Sequence, residues 1–179
     1  MKNTLFIAIL LFTFIGVYAQ KTLTASDAGS KIHFVIKNFG INTGGDLSGM
    51  KGDIKFDAAK PTSSSFDVTV AVKTIDTNNE KRDEHLKKEE YFNAEKFPVI
   101  RLTSTQIETT NKAGTYMFTG NLTIKGTTKP VHFLFTETAK DGGYLFAGDF
   151  EINRIDYKVG DDSATMSDNV KISVSAFSK

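Results

Sequence analysis

The chain has 179 residues, with 22 Lys and Arg against 21 Asp and Glu, and no cysteine. Such balanced charge excludes the general electrostatic attraction used by nucleic-acid and anionic-membrane binders, so we expect no nucleic-acid partner. The absence of cysteine excludes a disulfide scaffold, a thiol nucleophile and a thiolate metal site. The fold must therefore be held together by its apolar core.

The first nineteen residues have the composition of a secretory signal peptide. Lys2 supplies a positive start, an apolar run covers residues 5–17, and residues 17–19 form a small-x-small site. The run is too short for a spanning helix. We predict cleavage after Ala19, export to the periplasm or beyond the cell, and no stable membrane insertion afterwards; the alternative is an uncleaved anchor. Residues 20–179 then suit one domain.

Apolar and polar residues alternate through most of this domain. Period two with one apolar face is typical of half-buried antiparallel strands. Roughly eight such segments, separated by turn residues, predict an all-β, antiparallel, eight-stranded up-and-down barrel. Clear examples are Ile32, Phe34 and Ile36; Phe66, Val68 and Val70; and Val131, Phe133 and Phe135.

Two turns predict the register of two hairpins. Asp141-Gly142 is a strong two-residue turn signal, and a second turn is predicted at Thr127-Thr128. Both choices bring apolar positions opposite each other, as expected for one buried face. The predicted pairs are Phe133–Phe150, Val131–Ile152 and Lys129–Arg154 around the first turn, and Ile124–Val131 and Leu122–Phe133 around the second.

Residues 77–98 interrupt the strands with a charged segment. Nine of the eleven residues from Glu80 to Glu90 are charged, which excludes a core position. Thr77 and Glu80 fit a capping box, and Pro98 prevents continuation. We predict a helical insert that covers one end of the barrel. Its few apolar contacts would be Leu86, Tyr91, Phe92 and Phe97.

Several motifs follow one another in a specific order and spacing. They are Ser30-x-Ile32-x-Phe34-x-Ile36-Lys37, Gly52-x-Ile54-x-Phe56-Asp57, Ile75-Asp76-Thr77, Arg82-Asp83-x-His85-Leu86, Phe97-Pro98-x-Ile100, Gly120-x-Leu122-Thr123-Ile124-x-Gly126, Asn153-Arg154-x-Asp156-Tyr157 and Ser167-Asp168-x-Val170. With them the chain resembles the YceI-like family of exported, lipocalin-like, polyisoprenoid-binding proteins. Two positions depart from that pattern: Asn38 replaces a frequent His, and Lys158 a frequent Gly.

The resemblance implies a lipocalin-like barrel that holds an extended apolar chain, such as a polyprenyl lipid, an isoprenoid quinone or a fatty amide. It implies no catalysis, and we expect no cofactor. At roughly 0.3 kcal/mol per heavy atom, a twenty-carbon tail would contribute about 6 kcal/mol of affinity. The tail would therefore dominate affinity, and the head would set orientation.

The inward phase of the strands and the insert supply the candidate ligand lining. An eight-stranded barrel is either filled by side chains or holds one small ligand, so a packed core is the alternative. The candidate lining residues are Phe34, Phe56, Val68, Val70, Leu86, Phe92, Leu102, Phe118, Leu122, Phe133, Phe146 and Phe150.

Lys129 and Arg154 are the cations that share the apolar phase of the long strands. We hypothesise that Arg154, helped by Lys129, contacts a polar or phosphate head beneath the insert, because guanidinium suits bidentate recognition. The alternative is a structural pair between Arg154 and Asp156 or Asp168.

Three histidines in distant segments offer no metal-ligand spacing, and G-x-S-x-G and P-loop motifs are absent. We therefore expect a binding protein for an isoprenoid or other long-chain lipid, not an enzyme; a homodimer is compatible with this. One alternative is a stress- or surface-related interaction protein with a packed, ligand-free barrel. Another is an enzyme acting on an isoprenoid or quinone.

Overall fold

The computed structural model describes residues 21–179, and the predicted signal peptide lies outside them. In this part of the chain one short α-helix and three single-turn 3-10 helices accompany nine strands. The elements are β1 (Lys21–Asn38), β2 (Ile41–Leu47), β3 (Lys51–Phe56), β4 (Ser65–Ala71), α1 (Glu80–Leu86), β5 (Val99–Thr109), β6 (Thr115–Ile124), β7 (Thr127–Lys140), β8 (Gly143–Asn153) and β9 (Met166–Ser178).

The strands form a closed antiparallel barrel, which confirms the predicted fold class. Strands β3 to β9 pair in chain order, and β9 returns to β1. The long β1 pairs with β3 through residues 21–24 and with β2 through residues 32–38. Strand β2 is thus an extra ninth strand, joined at its other edge by a bridge between Asp46 and Asp76.

The two predicted hairpins fared differently. The turn at Asp141-Gly142 is confirmed, and its register places Phe135 opposite Gly148. The turn predicted at Thr127-Thr128 is wrong, since Lys125 and Gly126 turn the chain with positive φ and place Leu122 opposite Lys129. The observed partner of Leu122 in β7 therefore lies four residues before the predicted one. An even shift leaves every side chain on its predicted face.

The ladder between β7 and β8 runs only from the turn as far as the pair Phe135–Gly148. Val131–Ile152 and Lys129–Arg154 are therefore not paired in the sheet, contrary to the sequence-based register. Phe133 and Phe150 still meet, with stacked rings whose centroids lie 4.6 Å apart. On the side of this ring pair that faces the insert, the two strands border a polar groove.

The insert is confirmed as a cover of one barrel end, but its helix is shorter than predicted. Helix α1 spans seven residues, and turns follow it. The N-cap is Asn79, whose side chain accepts a hydrogen bond from the backbone of Arg82 at 3.0 Å; the predicted N-cap Thr77 is wrong. Leu86 and Phe92 pack against the core, whereas most of the charged residues face solvent.

Candidate apolar binding site

The barrel interior is divided into two levels along its axis. At the end opposite the insert, aromatic rings fill the barrel, with centroid separations such as 5.1 Å for Phe56–Phe146 and 5.2 Å for Phe66–Phe146. We call this cluster the aromatic floor. Its members are Phe56, Phe66, Tyr116, Phe118, Phe135 and Phe146.

Above the aromatic floor lies a cavity that reaches to the insert. The volume of this cavity is about 190 Å³. Sites for small molecules usually measure roughly 300–1,000 Å³, so the cavity suits a slender apolar chain and not a bulky ligand. The walls are almost entirely apolar.

Strand alternation explains why apolar side chains form most of the cavity wall. On β1 the side chains of Ile32, Phe34 and Ile36 point inward, and those of β9 do so at Val170, Ile172 and Val174. Eight of the candidate lining residues stand on the cavity wall. They are Phe34, Val68, Val70, Leu86, Phe92, Leu102, Leu122 and Phe150.

Four candidates do not line the cavity, and here the sequence-based lining needs correction. Phe56, Phe118 and Phe146 belong to the aromatic floor, and Phe133 is stacked between Phe118 and Phe150 at 4.8 and 4.6 Å. The alternation of strands defines the face of each side chain. It does not define the height along the barrel axis, which depends on register and strand tilt.

The sequence pattern did not identify several wall residues, because they lie outside the strands, where alternation gives no signal. Tyr157 and Val159 lie in the connection after β8, are both buried, and line the cavity. Burial raises the pKa of the Tyr157 hydroxyl to about 12, and nearby Asp156 adds to this shift. The motif Asn153-Arg154-x-Asp156-Tyr157 was the available signal for this connection, although it did not show which residue points inward.

A buried polar network within the insert orders its first turn. Asp83 Oδ1 accepts hydrogen bonds from the Thr77 amide at 2.9 Å and from the Thr77 hydroxyl at 2.5 Å. Arg82 Nε donates to the Thr77 hydroxyl at 2.7 Å, and Arg82 Nη2 donates to the Thr77 carbonyl at 2.7 Å. Arg82 and Thr77 line the cavity, yet their polar groups are directed to each other.

Lys125 fastens the other end of the insert. Its Nζ donates to the carbonyl of Glu90 at 3.2 Å and to that of Lys158 at 2.7 Å. The amide of Gly160 also donates to the Glu90 carbonyl, at 2.9 Å. Burial lowers the pKa of Lys125, opposed by the charges of Glu89, Asp161 and Glu90. These bonds attach the insert around Glu90 to the β6–β7 turn and to the loop that follows β8.

Arg154 lines the cavity, although its guanidinium donates two hydrogen bonds to the loop that follows β8 and two to the start of β9. It is 3% exposed. It donates from Nε to the Ser167 carbonyl at 3.0 Å and from Nη1 to the carbonyls of Val159 and Asp161 at 3.0 and 2.8 Å. Nη2 forms an ion pair with Asp168 at 3.1 Å.

Lys129 does not reach the cavity. It lines the polar groove between β7 and β8, where Asp149, Glu151 and Asp156 supply negative charge. The structure therefore separates the two cations that the predicted register placed opposite each other.

Within residues 21–179, no group of three or more His, Asp or Glu is arranged to hold a metal ion. The helix in this range is also too short and too polar to cross a bilayer.

Comparison with known proteins gives a consistent result. The chain is 31% identical over 185 residues to a UPF0312 protein of Ectopseudomonas mendocina, covering 98% of this chain and 96% of that one. It is 38% identical over 87 residues to UPF0312 protein plu2095 of Photorhabdus laumondii, a match that spans 49% of this chain and only 44% of the relative.

Solved structures show the same fold. The crystal structure of Burkholderia cenocepacia BcnA is 26% identical with a TM-score of 0.81, covering 87% of this chain and 99% of that one. A polyisoprenoid-binding domain from Saccharophagus degradans is 10% identical with a TM-score of 0.70, covering 88% and 97%. The family model of the YceI-like domain matches residues 23–177 of this sequence. The chain therefore belongs to the YceI-like family.

Proposed function

We propose that this chain is an exported binding protein that holds an extended apolar ligand inside its barrel for transport, storage or sequestration. The ligand class is a polyisoprenoid, an isoprenoid quinone or a fatty amide. The observation that carries the proposal is the carbon-lined cavity between the insert and the aromatic floor. Its fold is that of a binding-protein family, and a domain of the same fold from Saccharophagus degradans binds polyisoprenoid.

The cavity wall favours an apolar chain over a polar molecule. A buried polar group without a hydrogen-bond partner costs several kcal/mol, and the polar groups of Arg82 and Thr77 at the wall already bond to each other. The inward positions of β1 from Ile32 to Asn38 give a depth of about 15 Å in a tilted strand. A longer chain must bend within the cavity or leave through its opening.

The head of the ligand would lie at the end covered by the insert, away from the aromatic floor. Arg154 is the proposed contact, with Nη2 as its donor, because a single acceptor, Asp168 Oδ1, is bonded to that nitrogen. Lys129 would contribute only to a head that extends into the groove between β7 and β8. Tyr157 borders both the cavity and this groove.

The competing function is an interaction protein with a ligand-free barrel. The aromatic floor agrees with a packed interior over part of the barrel, but the cavity above it does not. The two proposed functions predict opposite results for the purified chain: a lipid bound in the cavity for the carrier, and an empty barrel for the interaction protein.

Occupancy can be measured by native mass spectrometry of the chain beginning at Gln20, purified from an envelope that contains isoprenoids and quinones. We expect a bound lipid. Ile172→Trp should remove it, because Ile172 is a half-buried wall residue that points into the cavity. Leu134→Trp is the control, since Leu134 is 51% exposed on the outside of β7. Protein that remains empty in every preparation, or that keeps its lipid in Ile172→Trp, contradicts the proposal.

A further inference from the structure

Two apolar side chains protrude at the tip of the hairpin between β1 and β2. Phe39 is 74% exposed and Ile41 is 70% exposed, the highest values among large apolar residues in the described part of the chain. Residues 38–43, which we call the hairpin tip, carry no charge. Such paired exposure has no role in packing the barrel and points to a function outside it.

The turn itself does not explain the presence of Phe39. Phe39 and Gly40 connect the strands with φ of 51° and 76°. Two-residue turns with two positive φ values prefer Asn or Gly, and a bulky aromatic residue is unusual there. The chain thus accepts backbone strain at the position where it exposes its largest apolar surface.

The hairpin tip continues the inner wall of the cavity. Ile41 is paired with Asn38, and Thr43 with Ile36. Directly opposed residues share one face of a sheet, and Asn38, Thr43 and Ile36 all line the cavity. Ile41 therefore extends this inward face past the end of the cavity. The amide of Phe39 donates to the carbonyl of Thr165 at 2.7 Å, which attaches the hairpin tip to the loop before β9.

We propose that the hairpin tip docks into the interface of a phospholipid bilayer, so that the cavity receives or releases its apolar ligand next to the membrane. This inference rests on the proposed function and extends it to the source of the ligand. Ile41 would provide an apolar path between the bilayer and the cavity, which spares the ligand a passage through water.

Area and charge distinguish this occupant from others. One aromatic and one aliphatic side chain expose roughly 300 Å², whereas a stable protein dimer usually buries about 800 Å² per partner. Insertion of single side chains into lipid needs no matching partner surface. Exposed Lys37 flanks the hairpin tip, and exposed Asp161 and Asp162 lie in the loop attached to it. This mixed local charge favours a zwitterionic surface, and anionic lipid should not strengthen binding.

The test is flotation of the chain beginning at Gln20, which contains all nine strands, with phosphatidylcholine vesicles. We expect binding that falls about tenfold or more in the double variant Phe39→Asn, Ile41→Thr, because two inserted side chains are lost. Asn suits the positive φ of position 39, so this variant should fold. Leu134→Thr removes a comparable exposed side chain from β7 and should bind as the unmodified chain does.

A second readout locates the contact. The chain has no tryptophan, so Phe39→Trp introduces a single tryptophan, whose fluorescence brominated phosphatidylcholine should quench. Equal flotation of the unmodified chain and the double variant, or no flotation of either, overturns the inference. Concentration-dependent dimers that disappear in the double variant, without vesicle binding, assign the hairpin tip to a second copy instead.

Lipid occupancy by native mass spectrometry separates this inference from the proposed function. An occupied cavity without vesicle binding defeats only the docking inference. Vesicle binding by a chain that is always empty defeats the lipid carrier and the transfer of its ligand, and leaves only the bilayer contact of the hairpin tip.

Discussion

Thr77 and Asp83 are joined by two hydrogen bonds that end on the same carboxylate oxygen, one from the backbone amide and one from the hydroxyl of Thr77. Both residues are buried, at 5% and 9% exposure. Asp83→Ala should therefore leave two buried donors without an acceptor and lower the free energy of unfolding by about 1–3 kcal/mol. Urea denaturation measures this loss, and hydrogen exchange should show faster opening of residues 77–92.

Glu84→Ala is the matched control for Asp83→Ala. Glu84 is the next residue of α1, is exposed, and has one surface ion pair with Lys87. Its removal should change stability by less than about 0.5 kcal/mol. Equal effects of the two substitutions would contradict the anchoring role of Asp83.

The insert also shows which features of a helix start can be predicted from local sequence. Both Thr77 and Asn79 are good N-cap residues, and a local pattern cannot rank them. The choice depends on Thr77 being buried against the barrel, which is a tertiary contact. The insert, its position and its exposed charges were predictable from composition. The first residue of α1 was not.

The cavity lining was also only partly predictable from the sequence. Period two defined the inward face of most strand segments, even where the β6–β7 register was wrong by four residues. A bulge between Ser104 and Gln106 in β5 changes the phase, so that Ile107 is buried. Height along the axis was not predictable, so Phe118 was assigned to the cavity although it lies in the aromatic floor. Tyr157 and Val159 could not be found by periodicity, because they lie in a connection.

Two phenylalanines at different heights should respond differently to truncation. Phe118 is 2% exposed in the aromatic floor, and Phe118→Ala should cost about 3–5 kcal/mol by leaving a void among packed rings. Phe34 is half-buried and faces the cavity, so Phe34→Ala should cost less, about 1–2 kcal/mol. Thermal and urea unfolding of both variants measure the difference. If Phe34→Ala is as destabilising as Phe118→Ala, the cavity is filled by protein in the free chain.

Arg154 should matter for folding more than Lys129 does. Arg154→Met removes four hydrogen bonds and leaves Asp168 and three carbonyls without their donor. Losing one partner of a buried charged network costs about 3–5 kcal/mol. Lys129→Met should change stability by less than about 1 kcal/mol, since Lys129 is only partly buried at the groove.

The headgroup role of Arg154 needs a separate readout under conditions where the variant is folded. Native mass spectrometry at low temperature should show Arg154→Met retaining a hydrocarbon without a head better than a lipid with a polar head. Loss of both ligands in equal proportion would leave Arg154 with a purely structural role.

Tyr157 predicts a specific dependence on alkaline pH. Its pKa rises from 10.0 to about 12 through burial, so the folded chain favours the neutral hydroxyl. The stabilisation is complete below pH 10 and is lost as the pH rises through 12. A shift of two units corresponds to about 2–3 kcal/mol. Tyr157→Phe should flatten the decline of unfolding free energy in this window, measured against the unmodified chain by urea denaturation at several pH values.

Tyr116 is the control for this titration. Burial also raises the pKa of Tyr116, and Glu137 adds to the effect, but the shift is smaller than that of Tyr157. Tyr116→Phe should therefore leave most of the alkaline decline in place. A steeper decline in Tyr157→Phe than in the unmodified chain would contradict the burial of the Tyr157 hydroxyl.

Lys158 offers a substitution that should stabilise the chain. It adopts the left-handed conformation, with φ of 59° and ψ of 35°, which costs a residue with a Cβ about 1–2 kcal/mol. Glycine removes this cost but adds about 0.5–1 kcal/mol of unfolded-chain entropy, so Lys158→Gly should gain about 0.5–1 kcal/mol. The contacts at this position survive, because the carbonyl accepts from Lys125 and the amide donates to Ile155. Lys158→Ala separates backbone strain from the loss of an exposed charge: it keeps the Cβ and should bring no gain. If Lys158→Ala and Lys158→Gly are equally stable in urea denaturation, then strain at Lys158 does not limit the stability of the loop that closes over the cavity.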